Sequence, residues 1–179
     1  MRNYLLNMWY MLDPLYYKLT RLQYVPDSRM NNTIFRVRPT TYKGASVVLQ
    51  DGTTINKNDI LLKIHLHNIR IIRDTQRDES ELQRAIRLYH TIRRDLQSLS
   101  RYVEGHHKYP EIKGILGITL LHKGIDRLGF EAFPIRNTYY RLFKQGTFLP
   151  INFIAGSGHR NQPFYLFMSK ERLLQQYND

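Results

Sequence analysis

Apolar and polar positions along this chain repeat with two different periods, and each change of period marks an element. The longer period runs through residues 80–103, where Leu82, Ile86, Tyr89, Ile92, Leu96, Leu99 and Val103 advance by threes and fours. That spacing puts one apolar stripe on a long helix. Asp78, Glu79 and Glu81 sit at its positive end and Gly105 stops it. Residues 34–38 alternate instead, with Ile34, Arg36 and Arg38 on one strand face and Phe35 and Val37 on the other. Val47 to Asn68 packs a hairpin, a second turn and a further strand into one stretch. Asp51-Gly52 predicts a hairpin turn with both residues at positive φ. Asn56 to Asp59 then turns the chain into a strand over Ile60–His67. Residues 33–68 therefore read as an antiparallel meander of three or four strands.

The remaining pattern is shorter-ranged. Leu5, Leu6, Trp9, Leu12, Leu15, Tyr16, Leu19 and Leu22 give residues 4–22 an amphipathic helical spacing, with a break expected near Asp13-Pro14. Ile115–Leu121 is an almost continuous apolar run, as in a buried strand. Lys123–Leu128 reads as a short helix capped by Gly129, and Phe130–Phe133 as a strand. Residues 137–145 read as helical, Phe148–Ile154 as a strand and Ala155–Pro163 as a Gly/polar loop. Phe164–Met168 predicts a strand, with Ser169 capping a terminal helix. The expected fold class is α+β: an antiparallel meander or mixed sheet packed by the long central helix and an amphipathic N-terminal helix. One domain over 1–179 is expected, comprising a helical N-terminus (1–25), the meander (33–68), the long helix (78–104) and an α/β part (112–179).

Charge changes the picture more than composition does. Lys and Arg number 27 against 15 Asp and Glu, a net charge of +12. A field of that sign favours polyanions such as nucleic acid or anionic headgroups. The chain has no cysteine, which excludes disulfides and thiolate metal sites. No apolar stretch approaches the roughly 18–20 residues that span a bilayer, and no signal peptide is evident. The expected location is cytoplasmic, with a peripheral position at the inner membrane face open to it. Trp9, Tyr10, Lys18 and Arg21 would face the membrane if the N-terminal helix lay in the interface.

Four places could carry chemistry. His65 and His67 share a strand face beside Lys63, which is metal-ligand spacing for imidazoles. No pattern such as HExxH supplies the remaining ligands, so no metal and no cofactor are expected. Arg87, Arg94 and Arg101 recur every seven residues on the long helix and could track a polyanion. Gly158, His159 and Arg160 lie in a loop that could form a backbone nest for an anion. His65, His122 and His159 are the candidates for acid–base work, although no catalytic role is assigned to any of them.

Short blocks in a fixed order carry a resemblance. Leu49-Gln50-Asp51-Gly52-Thr53 and Asn58-Asp59 lead to Ile64-His65-Leu66-His67-Asn68. Gly117-Ile118-Thr119, Leu128-Gly129-Phe130-Glu131 and Gly158-His159 follow, then Phe167-Met168-Ser169 with Leu173-Leu174-Gln175-Gln176-Tyr177. In this order they resemble the YkoP-like domain family over about residues 5–177. The family occurs as small bacterial proteins and as an extension of polysaccharide deacetylases, so the resemblance implies a setting in cell-envelope glycan or glycolipid metabolism. It implies a functional link to a polysaccharide deacetylase or glycosyltransferase but assigns no reaction. His65 matches the family's Ile/Leu-His-Leu pattern, whereas His67 departs from it. The expected function is a non-catalytic accessory module that binds an anionic lipid or glycolipid near the membrane. The alternatives are an acyl- or glycan-modifying transferase using His65, with a strand–helix–Leu-Gly-Phe–strand order like part of the GNAT acyltransferases, and a nucleic-acid-binding protein.

Overall fold

Alternation and helical periodicity meet in one mixed sheet with helices on one side. The computed structural model describes residues 22–66, 80–119, 124–139, 141–142 and 162–178. The strands are β1 (Gln23–Pro26), β2 (Asn32–Thr41), β3 (Val47–Val48), β4 (Thr54–Ile55), β5 (Ile60–Leu66), β6 (Ile112–Thr119), β7 (Glu131–Pro134) and β8 (Phe164–Ser169). The helices are α1 (Glu81–Glu104) and α2 (Lys170–Tyr177), and Asp126–Leu128 make a single 3-10 turn. Six strands form a sheet in the order β1-β2-β5-β6-β8-β7. The β5–β6 pair is parallel and its neighbours are antiparallel. Parallel neighbours need a long crossover, and α1 lies in the segment that makes it. The chain is α+β.

The face toward α1 is built from the predicted alternation. Phe35 and Val37 of β2 oppose Leu66 and Ile64 of β5, while Leu62 is registered with Ile115 and Ile115 with Met168. These side chains pack with Leu96, Leu99 and Val103 of α1 and Leu173 of α2. Ser80 caps α1 through a capping box with Gln83. The apolar stripe is only half engaged: Leu99 is fully buried, but Leu82 is 70% exposed and Ile86 is exposed as well. Asp95 pins the engaged part, because its buried carboxylate accepts the Ile34 N–H at 2.9 Å.

The meander is corrected in one respect. β2 and β5 pair directly, and β3–β4 leave the sheet to form a separate two-stranded unit. That hairpin lies over the second face, where Tyr42, Leu49, Ile55, Leu61, Leu116 and Phe167 cluster. Its turn also differs from the expectation, since Gly52 (φ 84°) has positive φ and Asp51 does not. Gly52 N–H bonds to the Leu49 carbonyl and Leu49 N–H to that of Thr53. The loop thus has three residues, a turn followed by a left-handed glycine. Asn56–Asp59 turns as expected, with the Asp59 carboxylate accepting the Asn56 N–H at 2.7 Å.

The C-terminal part follows the pattern with shifted boundaries. β6 begins at Ile112, three residues before the apolar run suggested. The expected helix before Gly129 is the short 3-10 turn, and Gly129 (φ 82°) does cap it in the left-handed region. The left-handed backbone there is what calls for glycine, since the nearest atom to an added Cβ is the movable end of the Gln176 side chain. Residues 138–139 and 141–142 are helical. The helix expected over 4–22 lies outside the described residues except for Leu22, which is not helical, and the helical N-terminus expected to reach residue 25 is corrected by strand β1, which begins at Gln23. The strand at 148–154 and most of the loop at 155–163 also lie outside the described residues.

Candidate anion-binding site

The second sheet face is apolar under the hairpin and cationic beside it. Arg36 is registered with His65, and Arg38 with Lys63, across the antiparallel β2–β5 pair. Opposed residues in such a pair project from the same face. Directly opposite Cβ atoms lie about 5 Å apart and diagonal ones about 7 Å, so the four side chains form a compact block. Arg36 is 4% exposed and Lys63 8%, while Arg38 and His65 are half-buried.

Tyr24 organises one corner. It is registered with Arg36 on β1, and its hydroxyl accepts from Arg36 Nη2 at 2.6 Å. The guanidinium carbon also lies 4.9 Å from the Tyr24 ring centroid, a cation–π distance. On the other side of the block the face becomes apolar, because Lys63 is registered with Leu116 and Leu116 with Phe167. Two arginine forks suit a planar or tetrahedral oxyanion.

A second polar cluster lies nearer the hairpin tip. Ser169 Oγ donates to the Asp51 carboxylate and accepts the Arg172 N–H at 3.0 Å. Glu131 accepts the Gln50 N–H at 3.0 Å and lies 3.6 Å from Arg172. Partial burial pushes the Asp51 carboxyl up, but hydrogen bonds from Ser169 and Thr53 and the Arg172 charge outweigh it and hold its pKa below the ordinary value. These groups bond one another in a way that fastens the hairpin to β7 and α2.

A YkoP domain profile matches residues 2–177. The chain belongs to the YkoP family. It is 41% identical to a protein of Bacillus subtilis (strain 168) described as "Uncharacterized protein YkoP", over 99% of this chain and 98% of that protein. No solved structure matches the chain. Four of the blocks that carry the YkoP resemblance meet in space: Asp51 bonds Ser169, Gln50 bonds Glu131, and Tyr177 donates to the Leu128 carbonyl at 3.2 Å. Those contacts lock the hairpin, the β7 turn and α2 into one YkoP scaffold beside the cationic block.

The site residues expected from sequence fall into separate places. Lys63 and His65 stand together and gain Arg36 and Arg38 as neighbours. Arg87, Arg94 and Arg101 are exposed on α1, which packs on the opposite face of the sheet. Arg94 pairs with Asp95 at 2.9 Å, and Arg101 Nε donates to the Gln97 carbonyl at 3.3 Å. His67, His122, Gly158, His159, Arg160, Trp9, Tyr10, Lys18 and Arg21 lie outside the described residues. Arg36 and Arg38 were absent from the expected site. Alternation had put them on one face, but their pairing with β5 is long-range and leaves no local signal. No helix among the described residues is long and apolar enough to cross a membrane.

Proposed function

We propose that this chain is a non-catalytic accessory module that binds an anionic ligand, working beside the membrane in cell-envelope polysaccharide or glycolipid metabolism. The observation that carries the reading is the register of Arg36 with His65 and of Arg38 with Lys63. Arg36, Arg38 and Lys63, with the His65 imidazole beside them, would form an anion receptor built on strands, where side-chain positions are held firmly. The net charge of +12 supports the same reading, since it draws anions toward the whole molecule. The exposed arginines of α1 supply a second basic surface, suited to an anionic bilayer on the opposite side of the sheet.

The test is thermal unfolding at low ionic strength with and without inorganic phosphate. A ligand bound only by the folded state at a hundred times its Kd adds about 2.7 kcal/mol. Phosphate is expected to raise the unfolding midpoint of the natural chain, and much less that of Arg38→Gln or Lys63→Met. Arg94→Gln, on the other side of the sheet, is expected to respond like the natural chain. An equal response from all four proteins, or from none, would remove the reading.

A further inference from the structure

Exposed apolar side chains from two elements meet at one end of the molecule. The Tyr102 hydroxyl donates to the Gln23 side-chain oxygen at 2.6 Å, and Gln23 is registered with Val37. Seven residues earlier on α1, Asp95 holds the Ile34 N–H. Seven helical residues and three strand residues both rise about 10 Å, so α1 and β2 run side by side in the same direction. The same spacing, continued past Ile34, puts Met30 of the β1–β2 turn about level with Ile86. Met30 is 83% exposed, and Leu82 and Ile86 are exposed as well. Met30 stands in the left-handed region (φ 60°), which residues other than glycine seldom adopt. Asp27 closes that turn by accepting the N–H groups of Arg29 and Asn31, each at 2.8 Å, so the methionine is presented by a fastened turn. Val48, another exposed apolar residue, belongs to the hairpin tied to Ser169. Ser169 is registered with Gly114, at the opposite end of the sheet.

We infer that this end is the membrane-docking surface, with Met30, Leu82 and Ile86 entering an anionic bilayer and the neighbouring arginines meeting its headgroups. This rests on the membrane-side part of the function proposed above, names the surface that serves it, and makes no use of the β2–β5 block. Charge complementarity selects the occupant. From Glu81 to Arg94, α1 carries Arg84, Arg87, Arg93 and Arg94 against the one acid Glu81, and Arg29, beside Met30, is exposed. Arginine stems lie along apolar surface while their charged ends reach headgroup phosphates. A second copy of the chain would bring the same arginines face to face. Apolar residues set singly between cations also suit entry among lipids better than the docking of a partner helix, which needs a continuous groove.

Co-sedimentation of the full chain with lipid vesicles at low ionic strength tests this. Vesicles of phosphatidylcholine and phosphatidylglycerol in equal parts are expected to bind it well, and pure phosphatidylcholine vesicles much more weakly. Met30→Ser, Leu82→Ser and Ile86→Ser, all at exposed positions, are each expected to weaken binding to the mixed vesicles by about tenfold, as for one apolar side chain kept in water. Val48→Ser, at the other end, is expected to bind like the natural chain. Equal binding by all five proteins would overturn the inference and leave the membrane-side reading to another surface. A dimer in sedimentation velocity that Ile86→Ser dissolves would overturn it too, since the stripe would then belong to a second copy. No binding to either vesicle would remove the membrane-side part altogether, without touching the phosphate test above.

Discussion

Ser169 Oγ donates a hydrogen bond to the Asp51 carboxylate, joining residues 118 positions apart in the chain. The same oxygen caps α2 by accepting the Arg172 N–H, so one side chain ties the hairpin tip to a helix start. Ser169 is fully buried, and removing its hydroxyl strands a helix N–H as well as a carboxylate. Ser169→Ala is expected to cost about 1–2 kcal/mol in urea unfolding, mostly as a lost cap. Because the Asp51 pKa is held below its ordinary value in the fold, its contribution is present above the unfolded pKa. It is lost as pH falls through the folded value, in the window below about pH 4. Asp51→Asn should therefore flatten the acid limb of the stability curve, whereas an unchanged limb would show that the Ser169 contact contributes little.

Asp95 and Ser100 are buried polar residues of α1 with opposite expectations. Asp95 is 3% exposed and holds both the Ile34 N–H and Arg94. The β1–β2 register shifts between Tyr24 and Pro26, and a helix carboxylate serves the Ile34 N–H close to that irregularity. Asp95→Ala should cost about 1–3 kcal/mol, since it leaves a buried donor unsatisfied, while the loss of its pairing with the exposed Arg94 adds little. Ser100 is fully buried and its hydroxyl has no hydrogen-bond partner among the described residues. Ser100→Ala should leave stability unchanged or raise it by up to about 1 kcal/mol. Chemical denaturation of both variants separates the two cases.

Leu99 and Leu82 lie on the same periodic stripe, yet they should respond differently to truncation. Leu99→Ala opens a cavity in the main core and should cost about 2–5 kcal/mol. Leu82→Ala removes a mostly exposed side chain and should stay within about 0.5 kcal/mol. Equal losses in a denaturant series would mean that the first turns of α1 are packed as firmly as its middle.

That pair also shows what the sequence could and could not reveal. Periodicity located α1 and the two-faced β2, because helix and strand spacing are local properties of a chain. Periodicity could not say how far the stripe is covered, since cover comes from elements distant in sequence. The same limit hid the site. Arg36 and Arg38 were placed on one face by alternation, and Lys63 and His65 on another strand by the same rule. Only the direct β2–β5 pairing brings them together. The expectation of a continuous meander worked against that pairing, because it placed the hairpin strands between β2 and β5. Asp51-Gly52 was legible as a turn, but the third loop residue and the contact with Ser169 depend on what the hairpin packs against.

The most direct test of the central claim is to map phosphate binding residue by residue with nitrogen–proton correlation spectra of the full chain. The account predicts that the largest changes fall on Arg36, Arg38, Lys63 and His65, with α1 unmoved at Arg87, Arg94 and Arg101. Changes concentrated on α1, or at Gly158–Arg160, with the β2–β5 signals still, would contradict it.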